Sequence, residues 1–497
     1  MGLVATPMRA KLGVMHRPGA DGRAVKRHLV TLVVVFAVTR ALAVGAGFRY
    51  TAQSAVEYWQ FMDLELLQHH LLRSLWHLHA QPPLFNGMVG VAEKLAGGHY
   101  GWVMLAIQWA LGLGASVAVY LALVRLRVKP VVALVAALGL MLNPSAMLFE
   151  FDGLYTEAVY GLNCLLALAM VVYVQERTRR ALGWVVGLAV CLPMLRSSYQ
   201  WVWVLILFAV LAWVLKESRR AIAVAGAVAL GVTLLVPAKN LLLFGHFTSS
   251  TWGSFGMAKH WDGNYPRPDV AEWMRDGTLV TLTHTNDTDE AMEAWLRKDW
   301  AVAVAGSPEL DALRKATGGR PNWNSLAMLK MHEAQARDVG FLLRHEPGEY
   351  GLAVVRAVGI FFQPTSDYMR LGFQPEYVKR QYGLIGPLDA VVTRVCCTPL
   401  GVVERKASRL ARMRNECWMA VVGYLLVGLG VVLARGDRRT VIWGLAATIV
   451  YALVVTNLAE VGENMRFRFE TEGLVVMVAV VVLQMGWERW RGQVVRA

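Results

Sequence analysis

The sequence predicts an all-α polytopic membrane protein, and three observations support this class. First, 56% of the 497 residues are hydrophobic, only 17% are charged, and the mean hydropathy is +0.41, whereas a soluble domain carries about a quarter charged residues. Second, several stretches of about 15–23 residues carry almost no charge, and a helix of that length crosses the hydrocarbon core of a bilayer. Third, these stretches are continuously apolar, whereas the strands of a membrane barrel alternate. A composition this apolar also excludes intrinsic disorder.

The net charge of +14 is concentrated in segments that alternate along the chain. The N-terminal segment, four short connectors and the C-terminal tail together carry 21 basic and five acidic residues, whereas the remainder carries 29 basic and 31 acidic residues. This distribution is the positive-inside pattern of membrane proteins. It places these segments and both termini in the cytoplasm, and it explains the charge without a nucleic-acid partner.

Because each basic connector is assigned to the cytoplasm, the sequence predicts ten membrane spans. Two more segments, 83–97 and 351–363, are short or charged, and we expect helices at the outer surface there. If both of these segments cross the membrane, the total rises to twelve. The ten predicted spans are residues 30–48, 102–124, 131–147, 154–174, 181–195, 200–215, 221–243, 417–434, 440–457 and 473–487.

Four regions follow from this topology. A basic cytoplasmic N-terminus covers residues 1–29, and an N-terminal transmembrane module covers 30–243, with a long first outer loop at 49–101. An extracytoplasmic segment covers 244–416, and the C-terminal transmembrane helices with a basic cytoplasmic tail cover 417–497. The extracytoplasmic segment is rich in tryptophan, so we expect it to fold and to pack on the membrane domain.

Neither the five cysteines nor the histidines show the spacing of metal ligands. The cysteines form no CxxC pair, which favours buried thiols. His69, His70, His77 and His79 lack the i, i+4 spacing that would place two ligands on one helix face. The sequence therefore predicts no metal site.

Carboxylates, arginines and aromatic residues accumulate in the predicted outer turns, where a charge beside a span is costly unless it is paired or functional. Asp63 lies in an aromatic stretch after the first span, and a carboxylate in such low-dielectric surroundings can act as a general base. An ion pair of Asp63 with Arg49 or Arg73 is the structural alternative.

Three arginines of the outer turns are candidates for binding a lipid phosphate. Arg196 ends the fifth span, and Arg466 and Arg468 stand in the last outer turn, where an extended segment would point both side chains to one side. Guanidinium groups bind phosphate through two parallel hydrogen bonds. Pairing with nearby carboxylates such as Glu463 is the alternative. Arg40 lies within the first span and needs a partner there, which makes it a further site candidate.

Several short motifs follow one another in the first half of the chain. After Asp63 come Gln81-Pro82-Pro83-Leu84, Asn143-Pro144-Ser145, Tyr155-Thr156-Glu157 and Leu195-Arg196-Ser197. In this order and placement they resemble the GT-C superfamily of polytopic glycosyltransferases, and most of all its protein O-mannosyltransferase and aminoarabinose-transferase type.

The resemblance covers about residues 30–240. It implies a GT-C-like bundle of about 10–12 transmembrane helices in a bacterial inner membrane, with an active site that faces the periplasm or the cell exterior. It also implies that a sugar passes from a polyprenyl-phosphate donor to a protein, lipid or glycan acceptor by a single inverting displacement. No cofactor is expected, although some members of the superfamily use a divalent metal.

The resemblance also implies roles for individual residues. Asp63 would be the catalytic base, and Glu65 is a second candidate because the family's Asp-Glu doublet reads Asp63-Leu64-Glu65 here. The three outer arginines would stabilise the charge that develops on the leaving phosphate. Supporting roles fall to Arg40, Gln81, Asp152, Tyr155 and Glu157.

Two other classes of function remain open at this point. A transporter or flippase for a lipid-linked or anionic solute could use the same outer charges as a gate, although such proteins usually keep polar groups in broken helices at the membrane midplane. A ligase or polymerase of surface polysaccharide would share the polyprenyl-linked substrate. The clustering of charges at one end of the spans counts against a membrane scaffold without a binding site.

Overall fold

The computed structural model describes residues 22–51, 56, 58, 60–261, 268–281, 289–300, 305–371, 376–397 and 417–494. Most of the predicted N-terminal region 1–29 therefore lies outside the described residues. Within them the secondary structure is helical, apart from one isolated bridge between Arg314 and Pro321. The chain is an all-α polytopic membrane protein, which confirms the fold class that the composition predicts.

The N-terminal half of the chain forms helices that match the predicted spans closely. Their bounds are α1 (Gly22–Gly45), α2 (Leu64–His77), α3 (Pro83–Ala96), α4 (Tyr100–Arg125), α5 (Pro130–Met141), α6 (Pro144–Phe151), α7 (Thr156–Glu176), α8 (Arg179–Leu195), α9 (Trp201–Val214) and α10 (Arg219–Phe244).

The C-terminal half begins with the segment between the two sets of spans, and it ends with three apolar helices, of which the last two are long. The bounds are α11 (Gly253–Ala258), α12 (Pro268–Arg275), α13 (Asp289–Asp299), α14 (Pro308–Asp311), α15 (Leu326–His345), α16 (Pro347–Phe361), α17 (Glu376–Cys396), α18 (Trp418–Leu433), α19 (Gly436–Ala459) and α20 (Asn464–Val494).

Fewer helices are long enough to cross a membrane than the ten predicted spans. Among the described residues, six apolar stretches reach spanning length, and a seventh arises if the bent pair of α5 and α6 is one span. The predicted spans in α8, α9 and α18 are helices of 17, 14 and 16 residues. At about 1.5 Å per residue such helices reach roughly 21–26 Å, less than a hydrocarbon core of about 30 Å.

The two segments 83–97 and 351–363 form helices α3 and α16. Helix α3 continues through one 3-10 turn into α4, so that residues Pro83–Arg125 make one apolar stretch of 43 residues. Helix α16 packs against α19 and α20 at the end of the bundle.

Local sequence signals explain where the bent helix pair breaks. Helix α5 ends at Met141, and α6 begins at Pro144 at an angle of 52°. Proline lacks the N–H group that would continue the helix, but it fits the first turn of a new one. The side chain of Asn143 caps the new helix by accepting a hydrogen bond of 3.0 Å from the N–H of Ser145.

The basic connectors meet at one end of the bundle, which we call the basic face. Arg125, at the end of α4, pairs with Glu176 at the end of α7 at 3.0 Å. Arg438, at the start of α19, pairs with Glu488 of α20 at 3.0 Å and donates to the carbonyl of Leu126. The end opposite the basic face carries the loops between α1 and α4 and the segment from α11 to α17.

The surface of the bundle between these two ends is apolar. Helix α1 exposes Val30, Val34 and Leu42, and α10 exposes Leu235 and Leu242. Exposed apolar faces of this extent suit contact with lipid tails.

Two small hydrophobic cores lie outside the bundle, in the segment between α10 and α18. One is built around Trp323 in the turn before α15, and the other around Trp261 and Leu342. The six tryptophans of this segment all contribute to these two cores: Trp252, Trp295, Trp300 and Trp323 to the first, and Trp261 and Trp273 to the second.

One pair of cysteines departs from the expectation of buried thiols. Cys397 and Cys417 form a disulfide, with their Cα atoms 4.0 Å apart. The N–H of Cys417 donates to the carbonyl of Phe362 at 2.8 Å, so the disulfide lies beside the end of α16. Because chain topology brings together two cysteines that are 20 residues apart, their spacing in the sequence does not reveal the pairing.

Arg40 finds the buried partner that its position within a span demands. Its Nε donates to Glu150 at 2.7 Å, and its Nη2 donates to the other oxygen of Glu150 and to the carbonyl of Met141, at the break between α5 and α6. Gly112 of α4 makes room for this pair: a Cβ there would lie 2.8 Å from Glu150 and 3.1 Å from the carboxylate of Glu157.

The Arg40 cluster yields a prediction on stability. Arg40→Ala leaves Glu150 with no counter-charge in a buried site, and we expect a loss of about 3–5 kcal/mol in the free energy of unfolding. Unfolding in detergent, followed by tryptophan fluorescence, measures this loss. The double variant Arg40→Met with Glu150→Met replaces both charges by apolar groups, and it should recover most of the stability. A near-native stability of Arg40→Ala would contradict the prediction.

Candidate functional site

A cavity of about 790 Å³ lies at the end of the bundle opposite the basic face. One wall is formed by the ends of the membrane helices α8, α19 and α20, and another by residues of the segment that follows α10. The polar and charged residues of the lining are Tyr58, Gln60, Gln81, Tyr155, Arg196, Ser197, Ser198, Gln200, Ser250, Lys259, Arg320, Thr456, Glu460, Glu463 and Arg466.

Arg196 lies buried on the membrane-helix wall of the cavity, directly after α8. Its Nη1 is 2.7 Å from Oε1 of Glu470, although the N–H does not point along that line, and its Nε donates to Ser198 at 3.0 Å. The guanidinium lies over the rings of Tyr155 and Phe467, at 5.0 and 4.6 Å from their centres. Two aromatic faces and one carboxylate therefore fix its orientation.

Arg466 stands beside Arg196 on the same wall. Its Nη2 pairs with Glu463 at 2.6 Å, and its Nη1 donates to the hydroxyl of Tyr368 at 3.3 Å. The buried Nε of Arg466 has no hydrogen-bond partner among the described residues. A buried donor without an acceptor costs about 1–3 kcal/mol, and an anionic oxygen in the cavity would remove that cost.

Arg468 does not line the cavity, although the sequence pairs it with Arg466. The prediction of an extended segment is wrong here, because α20 begins at Asn464 and includes both arginines. Residues two apart on a helix point about 200° apart. Arg468 therefore faces away, where its Nη2 contacts Glu472 at 3.2 Å and donates to the carbonyl of Gln363 at 3.0 Å.

Lys259 joins the segment after α11 to the ends of the membrane helices. Its Nζ lies 2.5 Å from Glu460 and 3.9 Å from Glu463. Burial alone would lower the pKa of Lys259, but the attraction of the two carboxylates outweighs it and raises the pKa above its ordinary value. The same attraction lowers the pKa of Glu460 against the opposing effect of burial. Both groups are therefore charged near neutral pH.

Close backbone contact accompanies this ion pair. A Cβ on Gly256 would lie 3.0 Å from the carbonyl oxygen of Ala459, at the end of α19. Glycine at this position therefore lets α11 approach the membrane helices closely enough to close the cavity on that side.

Among the residues that the structure describes, the charged groups of the lining are the cations Arg196, Lys259, Arg320 and Arg466 and the carboxylates Glu460 and Glu463. A third carboxylate, Glu470, lies behind the lining at 2.7 Å from Arg196. Aromatic and apolar groups fill the space between them, so a ligand would meet a surface of low dielectric constant where charges act strongly. The cavity therefore suits a ligand that has apolar surface and an anionic oxygen for the buried Nε of Arg466.

Gln81 reaches the cavity through a well-anchored loop. The side-chain oxygen of Asn324 accepts hydrogen bonds from the N–H groups of His79 and Ala80, at 3.1 and 3.0 Å. The ring of His79 contacts Thr251 and the carbonyl of Asn324, and burial lowers the pKa of His79 to about 3. The imidazole is thus neutral and serves to hold the loop.

Asp63 and Glu65 are not among the lining residues of the cavity. Asp63 caps α2 by accepting from the N–H of Glu65 at 3.2 Å. Its other oxygen accepts from the N–H groups of Ala316 and Thr317. Glu65 is exposed in the first turn of α2.

The alternative prediction for Asp63, an ion pair with Arg49 or Arg73, is not what the structure shows, because both arginines have other partners. Arg73 pairs with Glu309 at 2.9 Å, and Arg49 donates to the carbonyls of Val44 and Phe48. The contacts of Asp63 instead join the first outer loop to the loop at residues 314–321.

The remaining supporting candidates fall into two places. Tyr155 lines the cavity between the two arginines. Asp152 is buried beside Thr51, whose hydroxyl is 3.4 Å from its carboxylate. Arg40 and Glu157 belong to the buried cluster around Gly112 and do not line the cavity.

The loop at residues 314–321 is a short hairpin, closed by the bridge between Arg314 and Pro321. The N–H of Lys315 donates to the carbonyl of Arg320 at 2.8 Å. The side chain of Lys315 is buried, and its Nζ donates to the carbonyls of Val56 and Tyr58 at 3.2 and 2.5 Å.

The comparisons with protein-family models, with curated proteins and with solved structures each found no match.

The burial of Lys315 yields a prediction on pH dependence. Burial lowers the pKa of the Lys315 ammonium from 10.5 to about 7, although nearby Asp63 acts to raise it. Between these two values the unfolded chain binds a proton that the folded chain does not bind, so the free energy of unfolding rises with pH. Below about pH 7 both states carry the proton and the full cost of burying the charge remains.

Lys315→Met keeps the size of the side chain and removes this titration. Unfolding in detergent at a series of pH values between these limits should show wild type gaining stability relative to Lys315→Met as the pH rises. Parallel pH profiles for the two proteins would contradict the lowered pKa of Lys315.

Proposed function

We propose that this protein is a membrane glycosyltransferase of the GT-C type, which transfers a sugar from a polyprenyl-phosphate donor to an acceptor. The observation that carries the proposal is the cavity in which Arg196 and Arg466 stand side by side at the end of the membrane helices. A lipid phosphate would enter this position from the bilayer. An acceptor would enter it on the side where the segment between α10 and α18 lines the cavity.

The surroundings of the two arginines support a phosphate ligand. Both guanidinium groups are buried, and each is held by a carboxylate, Glu470 or Glu463. Because their orientation is already fixed, little side-chain entropy is lost when a ligand binds. The N–H donors that their partners leave unused suit the oxygens of a phosphate. Preorganised donors of this kind stabilise charge that develops on a leaving group.

The proposed reaction is a single displacement at the anomeric carbon of the sugar. A hydroxyl or amine of the acceptor forms the new bond from the face opposite the phosphate. The bond between the anomeric carbon and the phosphate oxygen breaks, and the phosphate leaves with the electron pair of that bond. The proton of the acceptor passes to a carboxylate, and the configuration of the sugar is inverted.

We assign the role of proton acceptor to Glu463 in place of Asp63. The oxygens of Asp63 accept backbone hydrogen bonds outside the cavity lining, whereas Glu463 and Glu460 line it. Lys259 holds Glu460 in a close ion pair at 2.5 Å, whereas its Nζ lies 3.9 Å from Glu463.

We also propose that the cavity faces the outside of a bacterial inner membrane. The charge of the basic face supports a cytoplasmic location of that end. The disulfide between Cys397 and Cys417 lies at the opposite end, and disulfides persist in oxidising compartments such as the periplasm.

A transporter is the second candidate, and the bent pair of α5 and α6 favours it. Arg40, Glu150 and Glu157 form a buried charged cluster beside this break. The binding sites of many transporters likewise lie where a membrane helix is interrupted. The cluster does not line the cavity, however, so a transport path would need a second opening. Solute uptake into proteoliposomes tests this candidate directly.

A transfer assay tests the enzyme proposal. Purified protein in detergent is given a panel of radiolabelled polyprenyl-phosphate sugars with membrane-extract acceptors. We expect Arg196→Ala and Arg466→Ala each to lower the rate by roughly 10²–10³-fold, the usual loss when one donor to a developing oxyanion is removed. Glu463→Gln should abolish transfer, because the amide cannot take the proton.

Arg468→Gln is the matched control for this assay, because Arg468 lies on the same helix and is also buried but faces away from the cavity. It should retain most of the transfer rate. Equal losses in Arg466→Ala and Arg468→Gln would refute the phosphate site, and uptake without any transfer would favour the transporter.

Cysteine labelling tests the orientation. Lys216 on the basic face and Arg297 on α13 are both exposed, and each is replaced by cysteine in a background with Cys191→Ser and Cys396→Ser. A maleimide that cannot cross membranes should label Arg297→Cys in intact spheroplasts, but Lys216→Cys only after lysis. The reverse pattern would place the cavity in the cytoplasm.

A further inference from the structure

Gln81 places a buried amide at the wall of the cavity. The residue is only 3% exposed and belongs to the cavity lining, yet its Oε1 has no hydrogen-bond partner among the described residues. A primary amide carries two donor hydrogens and an acceptor oxygen, and a buried polar group that stays unpaired destabilises the fold. A ligand in the cavity that supplies the missing partner would account for the amide at this position.

Trp252 contributes an aromatic surface to the same lining. It lies directly before α11 and is half-buried. Its ring packs against those of Trp323 and Phe255, at 4.2 and 4.6 Å between ring centres. These contacts hold the indole in one orientation, and the part of its surface that remains exposed belongs to the cavity lining.

One buried hydroxyl joins the chain at Gln81 to the chain at Trp252. Ser250 donates from its Oγ to the carbonyl of Ala80 at 2.6 Å, and the same Oγ accepts from the N–H of Trp252 at 3.2 Å. The residue directly before Gln81 is therefore bonded to the residue that positions Trp252. This link places the amide and the indole next to each other before any ligand binds, which lowers the entropy lost on binding.

An aromatic surface beside a buried amide suits the ring of a sugar. A sugar ring presents C–H groups on its faces, which pack on an indole, and hydroxyl groups at its edge. A hydroxyl both donates and accepts, and so does an amide, so the two groups can pair in either direction. Gln60 lines the same cavity and offers a second buried amide. A few polar groups in a mostly apolar wall fix the orientation of a ligand.

We propose that Trp252 and Gln81 bind the ring of a sugar, with the ring packed on the indole and a hydroxyl paired with the amide. This inference rests on the proposed function only in taking the ligand to be a substrate of this cavity. The sugar belongs either to the lipid-linked donor or to a glycan acceptor, since both present the same C–H and hydroxyl groups. The cavity of about 790 Å³ also contains Arg196 and Arg466, so a sugar carried on a phosphate would meet both sets of groups.

Binding of two sets of probes to the purified full-length protein in a sugar-free detergent tests the inference. The donor set consists of farnesyl-phosphate-linked hexoses and pentoses, with cyclohexyl farnesyl phosphate as the control whose ring has no hydroxyl groups. The acceptor set consists of methyl glycosides of the same sugars, with methoxycyclohexane as the control. Isothermal titration calorimetry gives each Kd. We expect at least one sugar to bind more tightly than the control of its set, and the set to which it belongs identifies the source of the sugar.

Gln81→Leu separates a role in binding from a role in folding. It should weaken the binding of that sugar by roughly 5–100-fold, because a ligand hydroxyl is left without its partner, and it should leave the Kd of the cyclohexyl control unchanged. Leucine has no polar atom that would stay unpaired, so the Tm in detergent should not fall. An amide that served only the fold would give the opposite pattern, a lower Tm with unchanged sugar binding.

Substitution of Trp252 tests the aromatic surface. Trp252→Leu should weaken the binding of the same sugar by roughly 2–10-fold, the usual contribution of an aromatic contact beyond its area, and Trp252→Phe should retain most of the affinity. Trp273→Leu is the matched control, because Trp273 is also half-buried and packs on Phe341 in the other small core but does not line the cavity. It should leave every Kd unchanged.

Three results would overturn the inference: no sugar of either set binds more tightly than its cyclohexyl control, Gln81→Leu leaves sugar binding unchanged, or Gln81→Leu weakens the sugar and its control equally. Gln81→Leu decides the matter even if Trp252→Leu fails to fold. None of these results depends on sugar transfer. Sugar binding that requires Gln81 in a protein without transferase activity would reject the proposed function and keep this inference. Transfer at the wild-type rate in Gln81→Leu, with unchanged sugar binding, would do the opposite.

Discussion

Buried ion pairs at one end of the helical bundle constrain much of the structure around them. Arg196 beside Glu470, Arg466 beside Glu463, and Lys259 beside Glu460 each place opposite charges within 2.7 Å of one another. A charge at such a position is expensive without a partner, and the loss of one partner costs more than the pair contributes. These pairs therefore require α8, the start of α20 and the segment after α11 to meet at one point.

The cavity is a consequence of this requirement. Three chain segments that converge through charged side chains cannot pack as tightly as apolar helices, because the guanidinium groups need oxygen atoms and aromatic faces around them. The wall formed by the membrane helices and the wall formed by the segment between α10 and α18 are thus joined by the ion pair of Lys259 with Glu460, and a cavity remains between them. Gly256 sets how closely the two walls approach, through its contact with the carbonyl of Ala459.

The sequence predicted the helices well because their signals are local. Each of the ten predicted spans falls on a helix or on the bent pair of α5 and α6, and Pro130 and Pro144 mark the starts of those two helices. The prediction that all ten segments cross the membrane was wrong in one respect: α8, α9 and α18 are shorter than the hydrocarbon core of a bilayer is thick. Apolar composition reports exclusion from water, and it does not distinguish a complete span from a shorter apolar helix of the same bundle.

The candidate site was predictable only in part, for a physical reason that differs from residue to residue. Arg196 and Arg466 were candidates because they lie at the outer ends of predicted spans, and Tyr155 and Gln81 because of the motifs to which they belong. All four line the cavity. Arg468 was misplaced because the sequence did not reveal that α20 begins four residues earlier, and helical geometry then turns Arg468 away from Arg466.

Lys259 and Arg320 had no such signal, since they reach the cavity through contacts between segments that lie far apart in the chain. Asp63 shows the reverse case. Its position in the first loop suggested a base, whereas its contacts with Ala316 and Thr317 bind two segments that no local pattern connects. A carboxylate in this place joins the first outer loop to the hairpin at residues 314–321. The chemistry of the site then depends on groups from both walls, and neither wall alone carries the full set of charges that an anionic substrate would meet.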